Sequence, residues 1–207
     1  MKKLVVVALA LIVVLAGGTA FAAGNKVQQG TSEFAVFMSI DNSESSASTS
    51  SSSKSIDQST SMNLSYGYFL TDGLQLGFSY MGMASKSWQE TNGKKVVGSD
   101  SESTFTFLYL DLKYNFVFDK AQTVVPYLGV GLGTASTTNV SGATKTTGSG
   151  FATALMGGVK FFVTENTSFN AELRMDSFTY TPSPQVGTKV EYTTDTVGLN
   201  LGLSVYF

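Results

Sequence analysis

Apolar residues alternate with small or polar ones in eight separate runs of the chain. The first covers residues 33–40, with Phe34, Val36, Met38 and Ile40 in step. The second, 60–70, sets Met62, Leu64, Tyr66, Tyr68 and Leu70 against Asn63, Ser65 and Gly67. The third, 74–84, sets Leu74, Leu76, Phe78 and Tyr80 against Gln75, Gly77 and Ser79. Runs over 104–116, 125–136, 150–163 and 168–178 repeat the pattern, and the last begins near Tyr192 and continues to Phe207. A period of two predicts β-strands with one apolar face and one different face. The closing run, 198–207, has leucine, valine or phenylalanine at every odd position from Leu199.

The connections sort by length. Short links at 71–73, 117–124 and 164–167 alternate with long ones at 41–59, 85–103, 137–149 and 179–191. Short turns on one side and long loops on the other are the habit of an up-and-down barrel in an outer membrane. The inner positions point the same way. They carry mostly Gly, Ser, Asn, Thr and Ala, which suit the tight interior of a small barrel better than a water-facing sheet. In lipid every backbone group needs a partner within the chain, so the last strand is expected to pair with the first. Asp72-Gly73 predicts a three-residue hairpin with glycine in the left-handed position. That turn sets Tyr68 opposite Leu76, Tyr66 opposite Phe78 and Leu64 opposite Tyr80. The expected fold is an all-β, eight-stranded antiparallel transmembrane barrel over residues 23–207.

A different segment precedes it. Lys2 and Lys3 lead an apolar run over residues 4–16, and Ala20-Phe21-Ala22 offers a small-x-small cleavage site. This predicts a cleaved signal peptide over residues 1–22. The run is short of the roughly 17–25 residues that a membrane-spanning helix needs.

Composition narrows the chemistry. The chain has no cysteine and no histidine, which removes thiolate metal sites, disulfides and the commonest general base and zinc ligand. A net charge of -2 provides no basic field for nucleic acid. No cofactor and no catalysis are expected. The inner positions do hold charge: Asp111, Lys113, Lys160, Glu172, Arg174 and Asp176, with Glu33 as a further member. Without Glu33 these sum to zero, and Arg174 could bridge two carboxylates by forked hydrogen bonds. Two readings follow: a paired plug that fills the lumen, or a gate whose pairs switch. Glu172 and Asp176 share a face, but no histidine or activated serine accompanies them.

Pro126-Tyr127-Leu128-Gly129-Val130-Gly131-Leu132-Gly133 resembles the PYxGxGxG strand of small bacterial outer-membrane barrels of the OmpA/OmpX-like superfamily. The stretch from Gly157-Gly158-Val159-Lys160-Phe161 through Glu172-Leu173-Arg174 is similar to the sixth and seventh strands of that superfamily. Asn200, Gly202, Val205 and Phe207 are spaced like the signal read by the barrel-assembly machinery. The resemblance implies an integral protein of a Gram-negative-type outer membrane, with lipid and lipopolysaccharide around it and the assembly machinery as its partner during biogenesis. It does not extend to a peptidoglycan-binding domain after the barrel. Lipid A deacylase barrels are of similar size, but their histidine–serine chemistry has no residues here.

The expected role is structural or surface-interacting, through the long outer loops, which offer a site for an extracellular ligand. The alternative is a narrow gated channel, or a carrier of small hydrophobic molecules. The serine-rich stretch 41–59 reads as a hydrated loop, and Trp88 with Lys86, Lys94 and Lys95 as a contact to lipopolysaccharide phosphates or as plain solvated charge.

Overall fold

The computed structural model describes residues 27–46, 53–91, 94–118, 122–183 and 191–207. The expected signal peptide and its cleavage site lie outside the described residues. Among the described residues nine strands follow in order: β1 (Ser32–Ser46), β2 (Ser53–Phe69), β3 (Leu74–Thr91), β4 (Lys94–Lys95), β5 (Ser101–Asn115), β6 (Val124–Ser141), β7 (Thr144–Thr164), β8 (Thr167–Ser183) and β9 (Tyr192–Tyr206). All pairings are antiparallel and join neighbours, and β1 also pairs with β9. The eight long strands therefore close into an up-and-down barrel, to which β4 adds a two-residue flap on β3. Among the described residues no helix is long and apolar enough to cross a membrane. The strands do the crossing.

Register follows from the turn chemistry. Gly73 adopts φ +95, and Leu70 donates its N–H to the Leu74 carbonyl at 2.8 Å. Tyr68 then lies opposite Leu76, Tyr66 opposite Phe78 and Leu64 opposite Tyr80, as the Asp72-Gly73 turn predicts. A slip of one residue would turn the whole apolar set inward.

The outer face carries the apolar set. Leu110 is 60% exposed and Leu201 63%, values tolerable only if lipid supplies the covering. The register aligns the upper ends of this set around the wall, with Leu108 opposite Tyr80, Met62 opposite Met38 and Val197 opposite Met175. The closing strand departs from the pattern at one point. Leu199 and Leu201 face outward and are exposed, whereas Val205, flanked in the ladder by Phe34 and Thr167, is buried.

The long loops expected from the sequence are largely strand. β1 and β2 pair out to Ser46↔Lys54, so most of 41–59 is ladder, not hydrated loop. β6 and β7 pair to Ser141↔Thr144 around Gly142 at φ +57, which leaves a two-residue turn where 137–149 reads as a loop. The cause is physical. Above the lipid neither face of a strand is apolar, so the period-two signal disappears although pairing continues. Serine and threonine then read as loop while sitting in a wall. Residues 53–61 of β2 alone add about 20 Å of wall beyond the apolar set, at ~3.3 Å per residue and a tilt near 40°.

The lumen as candidate functional site

The inner positions of the eight strands meet in the barrel axis and form layers. At the short-turn end Val27, Phe69, Val125, Phe162 and Tyr206 pack into an apolar plug. Val27 belongs to the segment before β1. Its N–H is held by the Gln122 side-chain carbonyl at 2.8 Å, so the chain folds across the mouth it would otherwise leave open.

A belt of charge lies above the plug. Glu33 accepts four hydrogen bonds: from Lys160 Nζ at 2.6 Å, Gln75 Nε2 at 2.7 Å, Ser204 Oγ at 2.6 Å and Tyr206 OH at 3.0 Å. Lys160 is also ringed by Phe69, Tyr127 and Tyr206, each with its centroid 5.2–5.6 Å from the ammonium. Glu172 accepts from Tyr127 OH at 2.9 Å, and Lys113 stands 4.0 Å from the same carboxylate. Arg174 Nε donates to Asp176 at 2.9 and 3.2 Å, Tyr109 OH donates to Asp176 at 2.8 Å, and the guanidinium lies 4.7 Å over the Tyr109 ring. A buried charge is tolerable only with such partners.

All seven charged residues singled out from the sequence are buried inside the barrel. Four carboxylates meet three basic groups there, so the lumen with Glu33 carries a net charge of about -1 when all are ionised. Arg174 engages one carboxylate and not two: its Nη1 and Nη2, and both oxygens of Asp111, have no hydrogen-bond partner among the described residues. Spacing puts these residues on one face but does not choose their rotamers. The neutral donors Tyr109, Tyr127, Tyr206, Gln75 and Ser204 escaped the sequence reading as partners. Their signal was available, since each occupies an inner position beside a charge.

The glycine-rich run of β6 makes room for this belt. A Cβ on Gly131 would stand 2.7 Å from Asp111 Oδ1, and one on Gly129 2.8 Å from Lys113 Cγ. A second cluster, mostly aromatic, packs inside the lumen. Phe107 stacks on Tyr109 at 5.8 Å and meets Phe178 edge-on at 5.8 Å, with Met81, Ala152 and Met156 around them. Between Glu33, Asp111 and Lys113 the remaining void is about 10 Å³, space for one water.

Of the residues read as an assembly signal, Asn200, Gly202 and Val205 are structurally ordinary members of β9, and Phe207 follows its last residue. Asn200 is buried and its Nδ2 lies 3.5 Å from Glu172, while Gly202 leaves space for Phe37, whose Cδ1 would be 2.6 Å from a Cβ there. Phe207 exchanges backbone hydrogen bonds with Ser32 at 2.8 and 3.0 Å, and its ring is 52% exposed. On the outer hairpin Lys86 pairs with Glu102 at 2.5 Å, Lys95 pairs with Asp100, and Lys95 lies 5.5 Å over the Trp88 ring. Two of the three lysines near Trp88 thus have carboxylate partners. The hydrogen bond that Lys86 donates to the Glu102 carboxylate holds its ammonium above the usual lysine range.

Among the described residues no group of histidine, cysteine, aspartate and glutamate could hold a metal ion. No curated protein matches the chain. Among solved structures it is similar to Neisserial surface protein A (18% identity over 86% of this chain and 98% of that one, TM-score 0.57). OprG of Pseudomonas aeruginosa is similar at 14% identity over 87% and 97%, TM-score 0.57. Ail, the attachment invasion locus protein of Yersinia pestis, is similar at 15% identity over 87% and 100%, TM-score 0.50. At these identities the likeness is one of fold. The family model described as the outer membrane protein beta-barrel domain matches residues 8–207. An eight-stranded closed barrel, an apolar outer band and that match converge on one conclusion: the chain belongs to the outer membrane protein beta-barrel domain family and is an integral outer-membrane protein.

Proposed function

We propose that this barrel is a non-conducting, non-enzymatic wall and surface protein of the outer membrane. The observation that supports the reading is the lumen. An apolar plug, a belt of buried charge in which every member but Asp111 has a bonded or ion-paired partner, and an aromatic cluster occupy it, and the belt leaves a void of about 10 Å³ beside Glu33. A hydrated ion needs a continuous water path, and paired buried charges resist opening because separation leaves each one unsolvated. The signal peptide at 1–22 would deliver the chain to export. The assembly machinery would read Asn200, Gly202, Val205 and Phe207, and lipid with lipopolysaccharide would surround the wall. The protruding hairpins, rich in serine and threonine hydroxyls, would make the surface contacts. Of the lysines on the outer hairpin near Trp88, Lys86 and Lys95 are paired with Glu102 and Asp100, so hydrogen bonding to sugar or protein suits that hairpin better than phosphate binding.

Reconstitution in planar bilayers tests the closed lumen: the expected result is no steady conductance, and reproducible single-channel steps would overturn it. The surface role is separable from the wall. Paired removal of residues 43–46 and 54–57 keeps the ladder below in register. Cells carrying that variant should retain their envelope integrity and lose attachment to surfaces that wild-type cells hold; unchanged attachment refutes the surface role.

A further inference from the structure

Two cavities lie one above the other on the outward face of β3 and β5. The lower one, of about 310 Å³, sits at the upper end of the apolar band. The register sets Met62, Gly82 and Thr106 side by side across β2, β3 and β5, with Thr60, Ala84 and Thr104 in the next row up. Gly82 and Ala84 thus continue the outward series of Phe78 and Tyr80, which are 55% and 49% exposed, without its large side chains. The result is a notch walled by Met62, Leu64 and Tyr80. A Cβ on Gly82 meets nothing within 4 Å, so the packing of the wall does not require glycine there. Lipid is the solvent at this depth, and an acyl chain is what fills an apolar notch in it.

The upper cavity, of about 650 Å³, is lined by Lys86, Trp88 and Glu90 of β3, by Lys95 of β4, and by Asp100 and Glu102. Residues 82, 84, 86 and 88 share one side of β3, so this cavity continues the notch upward. At ~3.3 Å per residue and a tilt near 40°, Lys86 lies about 10 Å and Trp88 about 15 Å above Gly82. That is the depth of a head group whose chain occupies the notch. Three carboxylates face two ammoniums in the upper cavity, a net charge of about -1 when all are ionised, which disfavours an anionic head group. The site supplies an aromatic plane with donors and acceptors around it instead. Trp88 Nε1 donates to Glu90 at 3.1 Å, which fixes the indole, and Lys95 lies over its ring. Lys95 and its partner Asp100 are both exposed, so moving that pair aside costs little. A hexose offers the matching surface: C–H groups for the indole face, and hydroxyls that donate to carboxylates and accept from ammoniums.

We propose that the two cavities form one site, for a lipid of the outer leaflet that carries a neutral sugar head group. One acyl chain fills the notch at Gly82, and the sugar stacks on Trp88 between Lys86, Lys95 and their carboxylates. The proposal rests on the reading of this hairpin as a surface that hydrogen-bonds sugar, and its test in purified vesicles is independent of whether cells attach through the loops.

Trp88 is the chain's only tryptophan, so its emission reports on this site alone. Folded protein in phosphatidylcholine vesicles is titrated with digalactosyl diacylglycerol. Native mass spectrometry of the extracted complex counts the lipid retained, and the gel shift of unboiled protein checks folding. Wild type should retain one glycolipid per barrel, and its emission should change saturably with the glycolipid fraction. Phosphatidylglycerol with the same acyl chains should bind at least about tenfold more weakly, and the free digalactosylglycerol head group should not compete at equal concentration. Gly82→Phe, which fills the notch from the lipid side, should weaken binding about tenfold while folded. Asp100→Ala, which removes a hydroxyl partner, should weaken it about fivefold. Neither retained glycolipid nor a saturable emission change, equal binding of phosphatidylglycerol, or unchanged binding by either folded variant overturns the proposal. Competition by the free head group would overturn the acyl anchor.

Discussion

Glu33 and Lys160 are separated by 127 residues and meet at 2.6 Å in the lumen, both almost fully buried. Removing one partner of such a pair leaves an uncompensated charge, at a cost of about 3–5 kcal/mol. In Lys160→Met, Glu33 keeps three neutral donors, Gln75, Ser204 and Tyr206, so the loss belongs near the lower limit, about 3 kcal/mol. Glu33→Gln is the harsher change. Lys160 then loses its directly bonded carboxylate and keeps ring faces, each contributing ~1–2 kcal/mol, an amide acceptor and the more distant Glu172 charge. The double variant Glu33→Gln/Lys160→Met removes both charges, and its cost should fall at least ~2 kcal/mol below the sum of the singles. Urea unfolding in lipid vesicles, followed by the gel-shifted folded fraction, reads this directly. With an m-value of about 2 kcal/mol/M, Lys160→Met should lower the midpoint by roughly 1.5 M. Single variants within ~0.5 kcal/mol of wild type, or strict additivity, would refute the account of the belt as mutually dependent charges.

Three further outcomes follow from geometry. Gly133→Ala should sharply reduce the folded fraction, because the new Cβ would lie 2.0 Å from the Leu108 carbonyl oxygen, whereas Gly82→Ala meets nothing within 4 Å and should fold as wild type; refolding yields on a gel compare them. Lys86 should titrate above ordinary lysine by NMR and return towards it in Glu102→Gln. A raised amine pKa means that the pair's contribution is complete at neutral pH and is lost only as alkali deprotonates Lys86, so the Glu102→Gln difference should disappear in strong base. Phe207→Ala should slow insertion by the assembly machinery more than it lowers the urea midpoint, since the backbone bonds to Ser32 survive the change; equal insertion rates would remove the signal and leave only the strand.

The strand count, the closure of the last strand on the first and the inward or outward side of most residues were legible because lipid imposes one rule on every strand at the same depth. Leu64 through Leu70 and Leu74 through Tyr80 obey it without exception, and the Asp72-Gly73 turn then sets their register. What was not legible lies where that rule stops. The walls above the membrane carry Ser and Thr on both faces, so 41–59 and 137–149 gave no period although their backbones pair. Within the lumen, alternation identifies which side chains meet but not how. It put Arg174 and Asp176 inside without revealing that the guanidinium spends its Nε and leaves Nη1 and Nη2 idle. The early end of the β1–β9 ladder, at Met38↔Leu201, had no sequence signal at all, because Ser39 and Asn200 look as suited to pairing as the residues below them.

The protruding hairpins inherit their alignment. A strand with no apolar face has little to resist a one-residue slip, yet Ser43 stays opposite Asp57 because Val36 and Leu64 are clamped below. The membrane band acts as a vise for sequence that could not hold its own register. Residues at the tips are thereby relieved of any folding duty, and their identity can drift or be selected without disturbing the barrel. Insertions in pairs, one on each arm, lengthen a hairpin and preserve every rung beneath. Such a protein separates inheritance of shape from inheritance of surface: the band must be kept, and the tips are free to diversify.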